Sequence, residues 1–217
     1  MLNLSSQILF LLALLVAVTV HEFAHAWMAN RLGDPTPKLQ GRLTLNPIAH
    51  LDPIGTLLPV ILILTGSPFI FGWGKPVQFD PFNLEKPKRD AALISLAGPL
   101  TNLSLAAILA IILRISAVPI SSAYLLSAIL IPIIYLNVIL AIFNLIPIHP
   151  LDGGKIIVGL LPEKDAHELD KFLRKYGMLI LLLLIFPIFG GTSPVSALIS
   201  PIIRFIVGFL IPSTTLI

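Results

Sequence analysis

The amino-acid sequence predicts an all-α polytopic membrane protein, with about five to six transmembrane helices, a re-entrant segment and a short β element. Hydrophobic residues make up 56% of the 217 positions and charged residues only 12%, whereas soluble domains are about 25% charged. Several apolar runs approach the roughly 20 residues that a helix needs to cross a bilayer. Residues 1–217 are therefore expected to form one membrane-embedded domain.

The first predicted span runs from Ile8 to Ala29, and Arg31, Gly33 and Pro35 end it. Residues 1–7 contain no Lys or Arg. Because a cleavable signal peptide begins with basic residues, we expect this first apolar run to be retained as a helix.

The second apolar stretch, Ile54–Phe71, is interrupted by prolines and a glycine, and two arrangements are open. If it crosses the membrane, the basic residues at 31–42 and those at 75–89 lie on opposite sides. If it dips in and returns, both groups lie on the same side, which the positive-inside bias favours. The breaks also suit a re-entrant element that is buried against protein.

Two clear spans follow, Ala91–Leu113 and Ala123–Ile146, and then the only long hydrophilic stretch, Lys155–Tyr176. Two further apolar segments, Met178–Phe189 and Val195–Ile211, complete the pattern. The sequence leaves open whether these last two segments form two spans or a hairpin.

The composition excludes several kinds of site and partner. Cysteine is absent, so any metal must be held by His, Asp or Glu, and no disulfide can form. The net charge of +3 is explained by basic residues in cytoplasmic loops. No arginine cluster or aromatic-basic pattern indicates a nucleic-acid partner.

The motif His21-Glu22-Phe23-Ala24-His25 has the form H-E-x-x-H. Residues four apart lie on one face of a helix, so both imidazoles can reach one tetrahedral ion. Glu22 then lies where it can take a proton from a metal-bound water. The alternative is an interfacial cluster that anchors the helix, but Ala26, Trp27, Met28 and Ala29 follow where basic residues would be expected. Ionisable side chains inside an apolar helix are expensive and usually functional.

The rise of a helix places this motif below the membrane surface. From Ile8 to His21 is roughly 20 Å, and from His25 to Ala29 about 6 Å more, at 1.5 Å per residue. We therefore expect the site on the side that the basic residues label cytoplasmic. A hydrolytic site at that depth needs a path for water.

A catalytic zinc site usually has a third protein ligand, and Asp152 is the candidate. It follows a span that returns toward the cytoplasmic side, so its depth can match that of His25. Pro147 and Pro150 prevent regular helix there. The alternative for Asp152 is the N-cap of a helix at Lys155–Leu161, which can coexist with ligation.

These motifs together resemble the site-2 proteases of the M50 type, polytopic zinc metalloproteases that cut transmembrane substrates. The matching sequences are HEFAH at 21–25, GPLTN at 98–102 and NLIPIHPLDGG at 144–154. Two more, NPIAHLDPIG at 46–55 and FGWGKPV at 71–77, resemble a compact, mostly prokaryotic branch. A PDZ or CBS domain, which other branches carry, would not fit in this chain.

The resemblance implies a role for each matching residue. His21, His25 and Asp152 would bind one Zn²⁺, Glu22 would act as the general base on a zinc-bound water, and Asn144 would donate a hydrogen bond to the substrate carbonyl or its oxyanion. The partners would be transmembrane protein substrates within the lipid bilayer. The implied location is a prokaryotic inner or plasma membrane, with the active site toward the cytoplasm.

The similarity covers about residues 8–160, which would form the catalytic core, followed by C-terminal helices at about 178–211. Within the core, Asn102 could line the site or hydrogen-bond between helices. His50 could approach the metal, although a structural role in a turn is favoured. Asn137 lies about two turns before Asn144 and could line the same cavity.

Three points stay open at this stage. A membrane transporter or metal carrier also places His and Asp inside the membrane, but it would be expected to use histidines on several spans. An inactive protease-like scaffold is disfavoured because both ligands and base are present. Finally, a short strand at Gly41–Leu45 or Lys75–Phe79 could hold a substrate extended.

Overall fold

The computed structural model describes residues 4–66, 70, 72–116, 122–186 and 192–211. The helices of the described residues are α1 (Leu4–Arg31), α2 (Thr36–Leu39), α3 (Pro53–Leu64), α4 (Pro87–Ile115), α5 (Ser122–Asn144), α6 (Asp152–Leu160), α7 (Glu163–Ile185) and α8 (Pro194–Leu210), with 3-10 turns at Pro47–His50 and Pro81–Asn83. The predicted all-α, membrane-compatible fold is confirmed.

Helices α1, α4 and α5 form the centre of the molecule, and each is long and apolar enough to cross a membrane. On α1 a buried stripe repeats every four residues, from Ala13 and Ala17 to His21 and His25. Small residues allow helices to approach closely within a membrane. The same face that packs α1 against its neighbours therefore carries both histidines into the interior.

Helix α3 has 12 residues and is about 18 Å long, which is short of a hydrocarbon core of about 30 Å. After it the chain returns to the start of the same helix, where the Trp73 amide donates to the Gly55 carbonyl at 3.3 Å. Both ends of the excursion thus lie at one level, which supports the re-entrant alternative. Residues 67–69 and 71 of the predicted segment lie outside the described residues.

The C-terminal helices pack on the other side of the centre. Helix α8 contacts α5, α7 and α4, and Arg114 at the end of α4 donates to the Phe209 and Leu210 carbonyls at the end of α8. Helix α7 continues without a break from the polar stretch into the apolar one. It passes Gly177, where a Cβ would lie 2.4 Å from the His149 carbonyl oxygen.

The predicted β element is not confirmed. The part of the chain that the structure describes contains no sheet, and Leu51 and Gly74 form an isolated antiparallel bridge. Gly41 has a φ of +68° and opens a turn rather than a strand. Three long apolar helices and the shorter apolar α3 and α8 are present, so the number of membrane spans stays a prediction.

Candidate metal centre and active site

The structure brings His21, His25 and Asp152 together. The Nε2 atom of His21 lies 3.0 Å from Oδ2 of Asp152, and Nε2 of His25 lies 3.3 Å from the same oxygen. All three side chains are nearly buried. Among the described residues this is the only group of His, Asp and Glu side chains whose ligand atoms converge in this way.

Asp152 reaches the histidines because it is the first residue of α6 and does not cap that helix. The N-cap is Leu151, and no side-chain cap bond is present, so the alternative role of Asp152 as an N-cap is not observed. The next residue has to be glycine, since a Cβ on Gly153 would lie 2.3 Å from the Ile146 carbonyl oxygen. The tight packing of this loop points the Asp152 carboxylate toward α1.

The second nitrogen of each imidazole is already committed to another partner. Nδ1 of His25 lies 2.7 Å from the Ile94 carbonyl oxygen, which can only accept, so that nitrogen carries the proton. In the neutral imidazole, Nε2 of His25 then carries a lone pair that faces Asp152. A ligating histidine fixed through its other nitrogen is the usual arrangement at metal sites.

A pair of buried amides fixes His21 in the same way. The Asn102 amide nitrogen donates to the Ala17 carbonyl at 3.0 Å and to Oδ1 of Asn137 at 2.8 Å, while Asn137 donates to the Ile133 carbonyl. Oδ1 of Asn102 must therefore accept from Nδ1 of His21, at 2.8 Å. Asn102 thus does both things predicted for it, since it contacts a candidate ligand and links helices. Asn137 supports it from α5.

This donor set fits a zinc ion. Two imidazole lone pairs and a carboxylate oxygen face one another and need a cation between them. Ligands about 2.0–2.2 Å from a tetrahedral zinc are about 3.3–3.5 Å apart, close to the 3.0 and 3.3 Å separations that are observed. His21, His25 and Asp152 could therefore hold a metal ion with little rearrangement.

Gly98 is part of this site, and sequence reasoning gave it no role. A Cβ there would lie 2.6 Å from Nε2 of His25 and 2.7 Å from Cε1 of His21. Any side chain at this point of α4 would thus occupy the space of both imidazoles. The available signal was the Gly98-Pro99 pair within an apolar span.

Glu22 lies beside the three ligands and is held from the other side. Its Oε2 accepts a hydrogen bond of 2.9 Å from the Val77 amide, and the Arg42 guanidinium lies 4.0 Å from the same oxygen. Only 12% of the Glu22 side chain is exposed. The base predicted from the H-E-x-x-H pattern is therefore a constrained carboxylate.

Two predicted residues do not contact the three converging side chains in the described structure. The Asn144 amide donates to the Leu140 carbonyl of its own helix at 2.9 Å. His50 is fully buried, and its Nε2 donates to the Thr44 carbonyl at 2.7 Å. The local contact of His50 agrees with the predicted role in a turn, and the role of Asn144 stays a prediction.

An apolar cavity of about 360 Å³ lies next to the site. Its walls come from the first half of α1, from α3 and from the returning segment, and they include Leu11, Leu15, Val18, Val60, Trp73 and Gly74. A Cβ on Gly74 would lie 2.5 Å from Val18 and 3.7 Å from Cγ of Glu22. The lining residue Gly74 therefore packs against α1 close to Glu22.

Comparisons with known proteins agree with this geometry. The model of peptidase family M50 matches residues 9–121 and 114–188. "Putative zinc metalloprotease YwhC" of Bacillus subtilis is 40% identical over 178 residues, which cover 80% of this chain and 78% of that protein. "Putative zinc metalloprotease Rip2" of Mycolicibacterium smegmatis is 32% identical over 180 residues, covering 82% of this chain and 66% of that protein. No solved structure gives a significant match.

Proposed function

The chain belongs to peptidase family M50 and is an integral membrane zinc metalloprotease, and from this premise we propose that it hydrolyses peptide bonds in or near the transmembrane segments of other membrane proteins, as in regulated intramembrane proteolysis. The observation that carries the proposal is that two of the three converging side chains, His21 and His25, belong to α1, an apolar helix long enough to span a bilayer. His21 lies about 25 Å from the start of α1. A substrate bond at that depth is one within a membrane segment.

We assign zinc binding to His21, His25 and Asp152. The Nδ1–H group of each histidine donates a hydrogen bond to an acceptor in α4, so each Nε2 is free to bind the metal. When bound, zinc supplies Lewis-acid polarisation of the scissile carbonyl and lowers the pKa of a coordinated water. The ligands hold that ion at a fixed place beside Glu22.

Glu22 acts as the general base in this proposal. Its carboxylate accepts a proton from the attacking water and later delivers a proton to the leaving amine. The Val77 amide bond holds Oε2, so Oε1 is the oxygen that we assign to proton transfer. Asn144 is proposed to donate to the substrate carbonyl, after its amide exchanges the bond to Leu140 within the same helix.

The substrate is proposed to arrive through the apolar cavity between α1 and α3. Its walls suit aliphatic side chains of a membrane segment, and its lining residue Gly74 lies close to Glu22. The scissile bond must leave helical structure, because a helix hides its carbonyls from attack. The extended segment 75–79 lies next to Glu22 and is the candidate surface for holding the unwound substrate.

We further propose that residues 1–217 form a single peptidase domain in a prokaryotic inner or plasma membrane. Its catalytic core is at about 8–160 and its C-terminal helices at about 178–211. With α3 re-entrant, the basic residues at 31–42, 75–89 and 155–175 share one side, and Arg114 lies on the other. The positive-inside bias assigns the larger group, and the end of α1 that carries the site, to the cytoplasm.

The test is cleavage of a single-span substrate in liposomes by the wild type and by Glu22→Gln. Loss of the base should lower kcat by about 100- to 10,000-fold and leave the zinc content unchanged. His21→Ala and Asp152→Ala should lose zinc as well as activity. Glu85→Gln, at an exposed glutamate, is the matched control and should cleave normally. Equal cleavage by the wild type and Glu22→Gln would refute the proposal.

A further inference from the structure

We propose that Arg42 is a positioning residue for Glu22, and that its guanidinium sets where the carboxylate stands for proton transfer. This inference rests on the proposed function, because it concerns the residue assigned as the general base. It assigns Arg42 no contact with substrate or metal.

The Arg42 side chain is buried beside a carboxylate. Only 4% of Arg42 is exposed, although an arginine is almost never buried without a partner. Within the described residues Glu22 is the only carboxylate that pairs with it, at 4.0 Å. A buried cation is costly unless it is paired and hydrogen-bonded, so the location of Arg42 depends on Glu22 remaining beside it.

The Arg42 guanidinium donates hydrogen bonds to two backbone carbonyls. One terminal nitrogen donates to Ala49 and the other to Lys75. These acceptors belong to the 3-10 turn before α3 and to the segment that returns after α3. A single planar group therefore fixes the spacing between this 3-10 turn and the returning segment, which contacts Glu22.

Val77 and Arg42 both face the same oxygen of Glu22. The same returning segment supplies the Val77 amide, which donates to Oε2 of Glu22 at 2.9 Å, and Arg42 faces that same Oε2. Movement of the segment would therefore displace the amide and the guanidinium together. Holding Oε2 in this way restricts the positions that the other oxygen, Oε1, can take relative to the candidate ligands.

Arginine is suited to this task and lysine is not equivalent. The guanidinium presents several N–H donors in a rigid plane, whereas an ammonium is a point charge on a flexible stem. A lysine could preserve the charge near Glu22 but could not bond the Ala49 and Lys75 carbonyls in the same geometry. Positional errors of about 1 Å near reacting groups can cost about 100-fold in rate.

The experiment compares kcat, KM and zinc content of full-length Arg42→Ala, Arg42→Lys and wild type, with cleavage of the same single-span substrate in liposomes. Arg89→Ala, at an exposed arginine, is the matched control. Each variant is also assayed with millimolar methylguanidinium, which can occupy the space that a truncated arginine leaves. Glu22→Gln is included because methylguanidinium cannot restore a missing base.

We expect kcat of Arg42→Ala to fall about 100-fold, with zinc content and KM within twofold of wild type. Arg42→Lys should have an intermediate kcat, and methylguanidinium should raise kcat of Arg42→Ala but not of Glu22→Gln. If Arg42→Ala does not fold, Arg42→Lys is the variant that tests the inference, and its kcat, KM and zinc content are compared with those of wild type in the same way.

A kcat within twofold of wild type in the variant that decides would overturn the inference. Loss of zinc in that variant would also overturn it. So would a low kcat in Arg42→Ala that methylguanidinium does not raise and that Arg42→Lys shares. Each of these results indicates that Arg42 has only a structural role. In all these cases wild type still exceeds Glu22→Gln, and the proposed function stands. If wild type and Glu22→Gln are equal, the proposed function itself fails and this inference falls with it.

Discussion

Replacing Gly98 with alanine perturbs the candidate zinc site without changing any proposed ligand. The new Cβ would lie 2.6 Å from Nε2 of His25 and 2.7 Å from Cε1 of His21, whereas ordinary contact begins near 3.4 Å. One imidazole, or the whole of α4, must therefore move by about 0.8 Å, the difference between 3.4 and 2.6 Å.

That displacement is large compared with the tolerance of a zinc site. Ligand distances of a good site lie within about 0.2 Å of their usual values, so at least one histidine loses its place. We expect the zinc affinity of Gly98→Ala to fall about 100-fold, which is about 2.8 kcal/mol at 1.4 kcal/mol per tenfold change. Helix propensity acts in the opposite direction, because alanine is about 0.8–1.0 kcal/mol more favourable than glycine within a helix.

The assay is a competition titration of zinc against a chromophoric chelator, with purified protein in detergent, together with thermal unfolding of the metal-free form. Gly208→Ala is the matched control, since a Cβ at Gly208 in α8 has no atom within 4 Å. Zinc affinity should fall for Gly98→Ala and not for Gly208→Ala, while thermal unfolding shows that each metal-free variant still folds. A zinc affinity of Gly98→Ala within twofold of wild type would refute the assignment of the site.

Two further predictions concern Asn102, which supports His21, and Asp34, which lies outside the site. Asn102→Ala should lower zinc affinity about 10- to 100-fold, because Nδ1 of His21 loses its acceptor; an affinity equal to wild type in the same titration would contradict this. Burial opposes ionisation of Asp34, but hydrogen bonds from Thr36 and Asn83 outweigh it and lower the pKa of that carboxyl below 3.8. Because the pKa is lower in the folded state, this stabilisation is present above about pH 4 and is lost as pH falls through the folded value. Asp34→Asn should therefore unfold at lower temperature at pH 7 and show a smaller loss of stability in acid, both measured by thermal unfolding.

The candidate zinc ligands of α1 are predictable from the sequence because their spacing is a property of one helix. His21 and His25 share a face whatever the rest of the chain does. Asp152 is predictable for a different reason, since acidic residues beside apolar segments are few and its depth follows from the order of the spans. These inferences need only helix geometry and the cost of burying charge, which hold before any tertiary contact is known.

The supports of the site depend on contacts through space, and the sequence does not encode them locally. Gly98, Arg42 and Val77 come from three separate segments, and each is identified only by the atoms that it faces. In the sequence, Gly177 separates a polar stretch from an apolar one and suggests a break. In the structure it lies within α7, and a residue without a side chain is needed there because His149 approaches closely. The weak alternation at Gly41–Leu45 predicts a strand, but in the structure those residues form a turn, which places Arg42 beside Glu22.

The predicted re-entrant path of α3 and the position of Glu22 depend on each other. Glu22 accepts from the Val77 amide, and Gly74 packs against the same part of α1, so the segment after α3 must be at the depth of Glu22. The segment before α3 is at this depth too, because the Lys75 amide donates to the His50 carbonyl at 2.8 Å. A full crossing between these segments would separate them by about 30 Å and would break both contacts. The hydrogen bonds around Glu22 thus argue for re-entry independently of the distribution of basic residues, and the two arguments agree.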